Sequence, residues 1–148
     1  MLLVRTVLVS AAAVTLGAAT PPHQIAARAS AKRMPLVPLS DADEQSTQET
    51  GCTFTFAGAG HDYLQLVGSE LMLRDSQGLR SCRLNATEGE ELETGKGTAS
   101  CSGYRLHIRA TGRSTSNAAT DSNSGRAVLT VDRGGAVTSM RGIWGVAC

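Results

Sequence analysis

One stretch of the chain alternates apolar side chains with Arg105, His107 and Arg109, and Arg113 follows just beyond it. Because successive side chains of a strand point to opposite faces, the first three cations share one face if the apolar side chains turn inward. Arginine can bind a carboxylate or a phosphate through two parallel hydrogen bonds, and histidine gains its charge near neutral pH. These four residues are therefore the predicted contact surface for an anionic partner, either a protein patch or an envelope polymer.

Two other interpretations of the same cations stay open. Charged side chains protect exposed strands against edge-to-edge aggregation, so the stripe is also consistent with an ordinary solvated strand face. Four glutamates in the connection 85–97 provide possible internal partners; they are Glu88, Glu90, Glu91 and Glu93.

An adjacent histidine and aspartate, His61 and Asp62, follow the turn Gly58–Gly60. An aspartate beside a histidine can orient a general base, so a small hydrolase that uses this pair and a serine is one possible function class. No Gly-x-Ser-x-Gly elbow occurs, and a polar turn is the preferred interpretation, so no catalytic residue is predicted. His61, Asp62 and His107 lack the spacing of a metal site, and neither a metal nor a cofactor is expected.

The four cysteines are Cys52, Cys82, Cys101 and Cys148, and no two of them form a Cys-x-x-Cys pair. An even number of widely spaced cysteines behind an export signal is typical of disulfides rather than of zinc or redox sites. Three connectivities are possible. We prefer Cys52–Cys148 with Cys82–Cys101, because the outer cysteines lie in the first and last strands, which become neighbours if the sheet closes.

The chain divides into two parts of different composition. All four prolines lie before residue 40, whereas fifteen of the sixteen glycines, all five aromatic residues and all four cysteines lie from Gly51 onward. We predict a signal peptide over 1–31, a disordered tether over 32–50 and a disulfide-bonded β domain over 51–148. The apolar run of the signal peptide is shorter than the roughly 20 residues that a membrane-spanning helix needs. Its cleavage is expected after Ala19 or as late as Ala31, and the mature protein is expected to be periplasmic or secreted.

Two-residue alternation recurs through the β domain, and a helical period is almost absent. Seven or eight short strands, mostly joined by tight turns, predict an all-β fold, either a small antiparallel barrel or a two-sheet sandwich, held by two disulfides. Of the two long connections, 85–97 has room for a single helical turn. The other, 113–125, is polar and low in complexity, and is predicted to be a mobile loop.

Composition excludes several function classes. Hydrophobic residues make up 41% of the chain and charged residues 18%, which is typical of a folded domain rather than a disordered chain. The formal net charge is only +1, so composition indicates neither a nucleic acid nor an anionic membrane as partner.

The export signal, the strand-rich domain and cysteines at both ends of that domain (Cys52 and Cys148) resemble the periplasmic c-type lysozyme inhibitors. Those inhibitors are small exported β-barrels that can carry a disulfide between their first and last strands. In their signature a serine-glycine pair stands three residues before a tyrosine, whereas here Ser102-Gly103 directly precedes Tyr104. The resemblance therefore covers the architecture and carries over no site residue.

These observations favour an exported, non-enzymatic binding or inhibitor-like module. An inhibitor of lysozyme, a hydrolase using His61 and Asp62, and a structural component of the envelope are the alternatives.

Overall fold

The computed structural model describes residues 33–148, and 58% of it is strand. The predicted signal peptide, residues 1–31, lies outside the described residues. The strands are β1 Leu36–Val37, β2 Thr53–Gly58, β3 His61–Val67, β4 Glu70–Asp75, β5 Gly78–Arg83, β6 Lys96–Cys101, β7 Tyr104–Ala110, β8 Thr115–Asn117, β9 Ser122–Arg133 and β10 Ala136–Ala147. The helices are α1 Asp41–Glu44 and α2 Ala86–Glu93.

Eight strands form one antiparallel sheet in the order β5-β4-β3-β2-β10-β9-β7-β6, and this sheet curls into a half-barrel. The two short strands extend it, because β1 pairs with β4 and β8 pairs with β9. The all-β antiparallel prediction is confirmed. Of the two predicted architectures, the single curled sheet matches the barrel rather than the sandwich.

The concave face of the half-barrel holds the hydrophobic core. Alternate residues of each long strand turn inward, as the two-residue periodicity predicts. The largest fully buried side chains of this core are Tyr104, Phe54, Phe56, Leu64, Leu66, Leu71, Leu73, Leu92, Leu106, Ile108 and Leu129. Leu92 belongs to α2, so this helix also contributes to the core.

Both disulfides are as predicted. Cys52, next to β2, is bonded to Cys148 at the end of β10, and these two strands are hydrogen-bonded neighbours. Cys82 of β5 is bonded to Cys101 of β6. The inner disulfide therefore joins the two strands at the ends of the curled sheet, between which no backbone ladder forms.

The prediction of a disordered tether is wrong for residues 33–50, which we call the strap. Leu36 and Leu39 are buried, and β1 adds a short ladder to β4. Pro35 and Pro38 are typical of a linker, but the two residues between them are extended and pair with the sheet. A proline on either side of two residues permits a short edge strand, because only the residues between them donate to the ladder.

Charged and polar contacts fasten the rest of the strap to the convex side of β4. Asp43 in α1 is buried, and Arg74 donates two hydrogen bonds to its carboxylate, at 2.7 and 2.6 Å. The hydrogen bonds from Arg74 hold the pKa of Asp43 well below its ordinary value, against the opposing effect of burial. Further along, the Thr47 hydroxyl donates to the carboxylate of Glu70 at 2.8 Å. The strap is therefore part of the folded domain.

Limited proteolysis of the native protein is expected to leave a fragment that retains residues 33–50. Proteases need a locally unfolded segment, and here the backbone is paired and two leucines are buried. Mass spectrometry of the stable fragment measures its first residue. A core that begins at residue 51 would show that the strap detaches readily. Digestion under reducing conditions is the control, since cleavage should then spread through the domain.

The two long connections are also more ordered than expected. The acidic connection forms α2, an eight-residue helix with Asn85 as its N-cap; the Asn85 side chain accepts from the Glu88 N–H, and Glu88 accepts from the Asn85 N–H. The segment predicted as a mobile loop, 113–125, instead folds back on itself, because β8 pairs with the first residues of β9. None of the described helices is long and apolar enough to cross a membrane.

Candidate functional site

Strand β7 places its cations as the alternation predicts. Arg105, His107 and Arg109 are exposed on the convex face, while the residues between them are fully buried. Arg113 is exposed in the connection from β7 to β8. The structure therefore brings the first three predicted residues onto one surface, with Arg113 beyond the end of the strand.

Neighbouring strands add three cations that the sequence analysis did not include. In the ladder, Arg109 lies opposite Lys96 of β6 on one side and opposite Val128 of β9 on the other. Val128 in turn lies opposite Arg141 of β10. Arg126 lies two residues before Val128, on the same convex face. We call these outward side chains the basic face; they are Lys96, Arg105, Arg109, Arg113, Arg126 and Arg141.

The three cations of β7 differ in their surroundings from one end of the strand to the other. Arg105 lies opposite Asp132 on β9, so an acidic side chain adjoins that end. In the middle, the Nδ1 atom of His107 lies 3.1 Å from the hydroxyl of Thr98. Around Arg109 the cross-strand neighbours are a lysine and a valine. Positive charge is therefore concentrated at the Arg109 end.

At this end the surface forms a depression of about 550 Å³, which we call the arginine depression. Three arginines line it, Arg109, Arg126 and Arg141, together with Val128 and Ile143. A second depression of about 370 Å³ adjoins it and shares Arg126 and Ile143 with it; Arg113 lines this one. The side chain of Ile143 is 56% exposed, which gives the site one apolar element.

The side chains of the basic face make no ion pair with the described part of the chain. The four glutamates of α2, which the sequence analysis names as possible internal partners, make no ion pair with the basic face either. Residues 33–148 hold eleven Lys and Arg side chains against thirteen Asp and Glu side chains, so the face is a local concentration of positive charge on a domain that is not basic.

Comparisons with protein-family models, curated proteins and solved structures found no match.

The pair considered for hydrolysis lies elsewhere. His61 is exposed at the start of β3, beside the turn that joins it to β2, and Asp62 is partly buried. Burial raises the pKa of Asp62. Among the described residues, no hydrogen bond joins the His61 ring to Asp62 or to a serine hydroxyl. Nor do three or more histidine, cysteine, aspartate or glutamate side chains of residues 33–148 form a group that could hold a metal ion.

A buried polar cluster on the concave side has a structural role. The Tyr104 hydroxyl donates to the carboxylate of Asp75 at 3.0 Å, and the Gln77 N–H donates to it at 2.8 Å. Burial opposes ionisation of Asp75 most strongly, but these hydrogen bonds and Arg80 hold its pKa below the ordinary value. Burial and the bond to Asp75 raise the pKa of Tyr104. The cluster links β7 to β4 across the half-barrel.

Proposed function

We propose that this protein is an exported, non-enzymatic binding module that holds an anionic partner on its basic face. The observation that carries the proposal is the arginine depression, where three arginines line one hollow and none of them is in an ion pair with a carboxylate that the structure describes. An arginine that serves only the fold is normally paired or covers apolar surface. Six cations on one face, none of them in an ion pair with a residue of 33–148, provide a field that attracts an anion and fixes its position.

Export is supported by the two disulfides, since such bonds persist in oxidising compartments outside the cytoplasm. It is also supported by the signal peptide predicted from residues 1–31. The partner we propose is accordingly an acidic protein or an anionic polymer of the cell envelope or its surroundings.

Charge reversal on the basic face is expected to weaken binding to an immobilised anionic polymer, dextran sulfate, by at least about tenfold. Two variants test different parts of the face: Arg105→Glu with Arg109→Glu, and Arg126→Glu with Arg141→Glu. A single exposed ion pair contributes only about 0–1 kcal/mol, so two charges are changed together. The measurement is the dissociation constant at low salt and at about 0.15 M salt, where screening should weaken binding by the wild type.

The matched control is Arg33→Glu with Arg83→Glu, which changes the net charge equally but lies off the basic face. This control should bind like the wild type, and all variants should keep the wild-type melting temperature within a few degrees. If the control weakens binding as much as the face variants do, only net charge matters and the proposed site is wrong. If the wild type does not bind any anionic polymer, the proposed function is wrong.

A further inference from the structure

The arginine depression has a shape that suits one kind of anion. Arg109 and Arg141 lie in the same cross-strand row, separated by Val128. Because neighbouring strands are about 4.8 Å apart, their backbones lie about 10 Å from each other across the row. Arg126 stands in the adjacent row, displaced along β9 by two residues, or about 7 Å. The three arginines that line the hollow therefore start from three different points of the backbone around Val128.

A phosphate group fits this arrangement better than a single carboxylate does. A carboxylate carries one charge and offers two oxygens in one plane, which one arginine satisfies through two parallel bonds. A phosphate within a polymer also carries one charge, but its two free oxygens diverge at a tetrahedral angle, so guanidinium groups approaching from different directions can each donate to one of them. Arginine is well suited to this, because its five N–H donors are held in a rigid plane and its charge is permanent.

The second depression, which adjoins the arginine depression, provides a place for a second phosphate group. The two hollows share Arg126 and Ile143, and the second adds Arg113. Each hollow thus has at least two arginines, and a partner that spans both must present at least two anionic groups in succession. Among residues 33–148, the large exposed hydrophobic side chains are Val37, Val137 and Ile143, so no exposed aromatic ring is available for stacking nucleobases.

We infer that the two depressions hold successive phosphate groups of a linear phosphate-bearing polymer that is not a nucleic acid. This inference rests on the proposed function and specifies its partner. Arg126 contributes to both hollows and is the central contact. Arg105, which faces Asp132, lies outside the phosphate-binding part of the face.

The test compares three soluble probes of similar length by isothermal titration calorimetry with the whole protein: inorganic polyphosphate, poly-L-glutamate and single-stranded oligothymidine. Polyphosphate is expected to bind at least about tenfold more tightly than either of the others. The substitution pair Arg126→Gln with Arg141→Gln should remove that preference. The matched pair Arg33→Gln with Arg83→Gln removes the same charge away from the basic face and should keep it, since Arg83 is in an exposed ion pair with Glu49.

A conservative pair, Arg126→Lys with Arg141→Lys, separates geometry from charge. It keeps both charges but lacks the planar donors, so the preference for polyphosphate should fall although poly-glutamate binding is unchanged. Melting temperatures near that of the wild type establish that each variant is folded.

Three other outcomes would contradict the phosphate inference. If poly-glutamate binds as tightly as polyphosphate and the basic face is still required, the proposed function holds and the phosphate inference is overturned. Equal binding of oligothymidine also overturns it, in favour of a general polyanion site. If no probe binds, both the inference and the proposed function fail.

Discussion

Removing the outer disulfide, by Cys52→Ala with Cys148→Ala, is expected to lower the free energy of unfolding by about 4 to 5 kcal/mol. The bond closes a loop with a sequence separation of 96 residues, so its loss greatly increases the conformational freedom of the unfolded chain. Folded domains of this size are typically stable by only about 5 to 15 kcal/mol, so the variant should lose much of its stability. Urea unfolding followed by circular dichroism measures the change.

The inner disulfide provides the matched comparison. Its sequence separation is 19 residues, and the same relation gives about 3 kcal/mol for Cys82→Ala with Cys101→Ala. The outer pair should therefore cost more than the inner pair. An inner-pair variant that is less stable than the outer-pair variant would contradict this ordering, and would indicate that tying β5 to β6 stabilises the native state itself.

The second large effect is expected at the contact between the strap and the sheet. Asp43→Ala should destabilise the protein by about 2 kcal/mol, because it removes two charge-assisted hydrogen bonds from Arg74 and the acceptor for Ser40. Arg74 is partly exposed and regains water when its partner is lost, which limits the cost. Arg74→Met should be worse than Asp43→Ala, because it leaves a buried carboxylate without its cation. Urea unfolding of both variants at neutral pH measures the difference.

The pH dependence of this contact has a definite sign. The pKa of Asp43 is lowered in the folded protein, so its contribution to stability is fully present above the unfolded value of about 3.9 and is lost as the pH falls through the folded value. The stability difference between the wild type and Asp43→Ala should therefore be constant near neutral pH and shrink in strong acid. A difference that instead grows as the pH falls would show that the Asp43 carboxylate opposes folding. Ser46→Ala is the control and should show a smaller dependence, because the Ser46 hydroxyl donates to a backbone carbonyl, that of Asp43, which does not titrate.

Local pattern was sufficient to predict most of the fold. The alternation in β7 places its cations outside, and the Gly134–Gly135 turn sets the register of β9 against β10. Counting outward from that turn places Arg141 opposite Val128, so this neighbour of the site was accessible from the sequence. The pairing of β7 with β9 could not be predicted from the sequence. The short strand β8 lies between them in the chain, and local pattern does not indicate which strand pairs with β9 along its length. Arg109 and Arg141 meet only through that pairing.

The strap shows a different limit of sequence reasoning. Its proline and charge content is typical of a linker, and Leu36 and Leu39 have no period that marks them as core residues. They become buried because β4 has an unpaired stretch beyond β3, which β1 fills, and because Arg74 gives Asp43 a partner. Both contacts involve residues more than thirty positions away in the sequence, so local composition cannot predict them.

The pairing of β2 with β10 has a consequence for how the chain acquires its structure. Ala57 lies opposite Ile143, so the first long strand finds its neighbour only when nearly the whole chain is available. Contacts between residues so far apart in sequence form slowly, since a large loop must close before they contribute. Until β10 is available, β2 and β3 expose an apolar surface and an open strand edge, both of which are prone to aggregation. We expect folding to be completed only after the last strand is released, with a holding chaperone improving the yield.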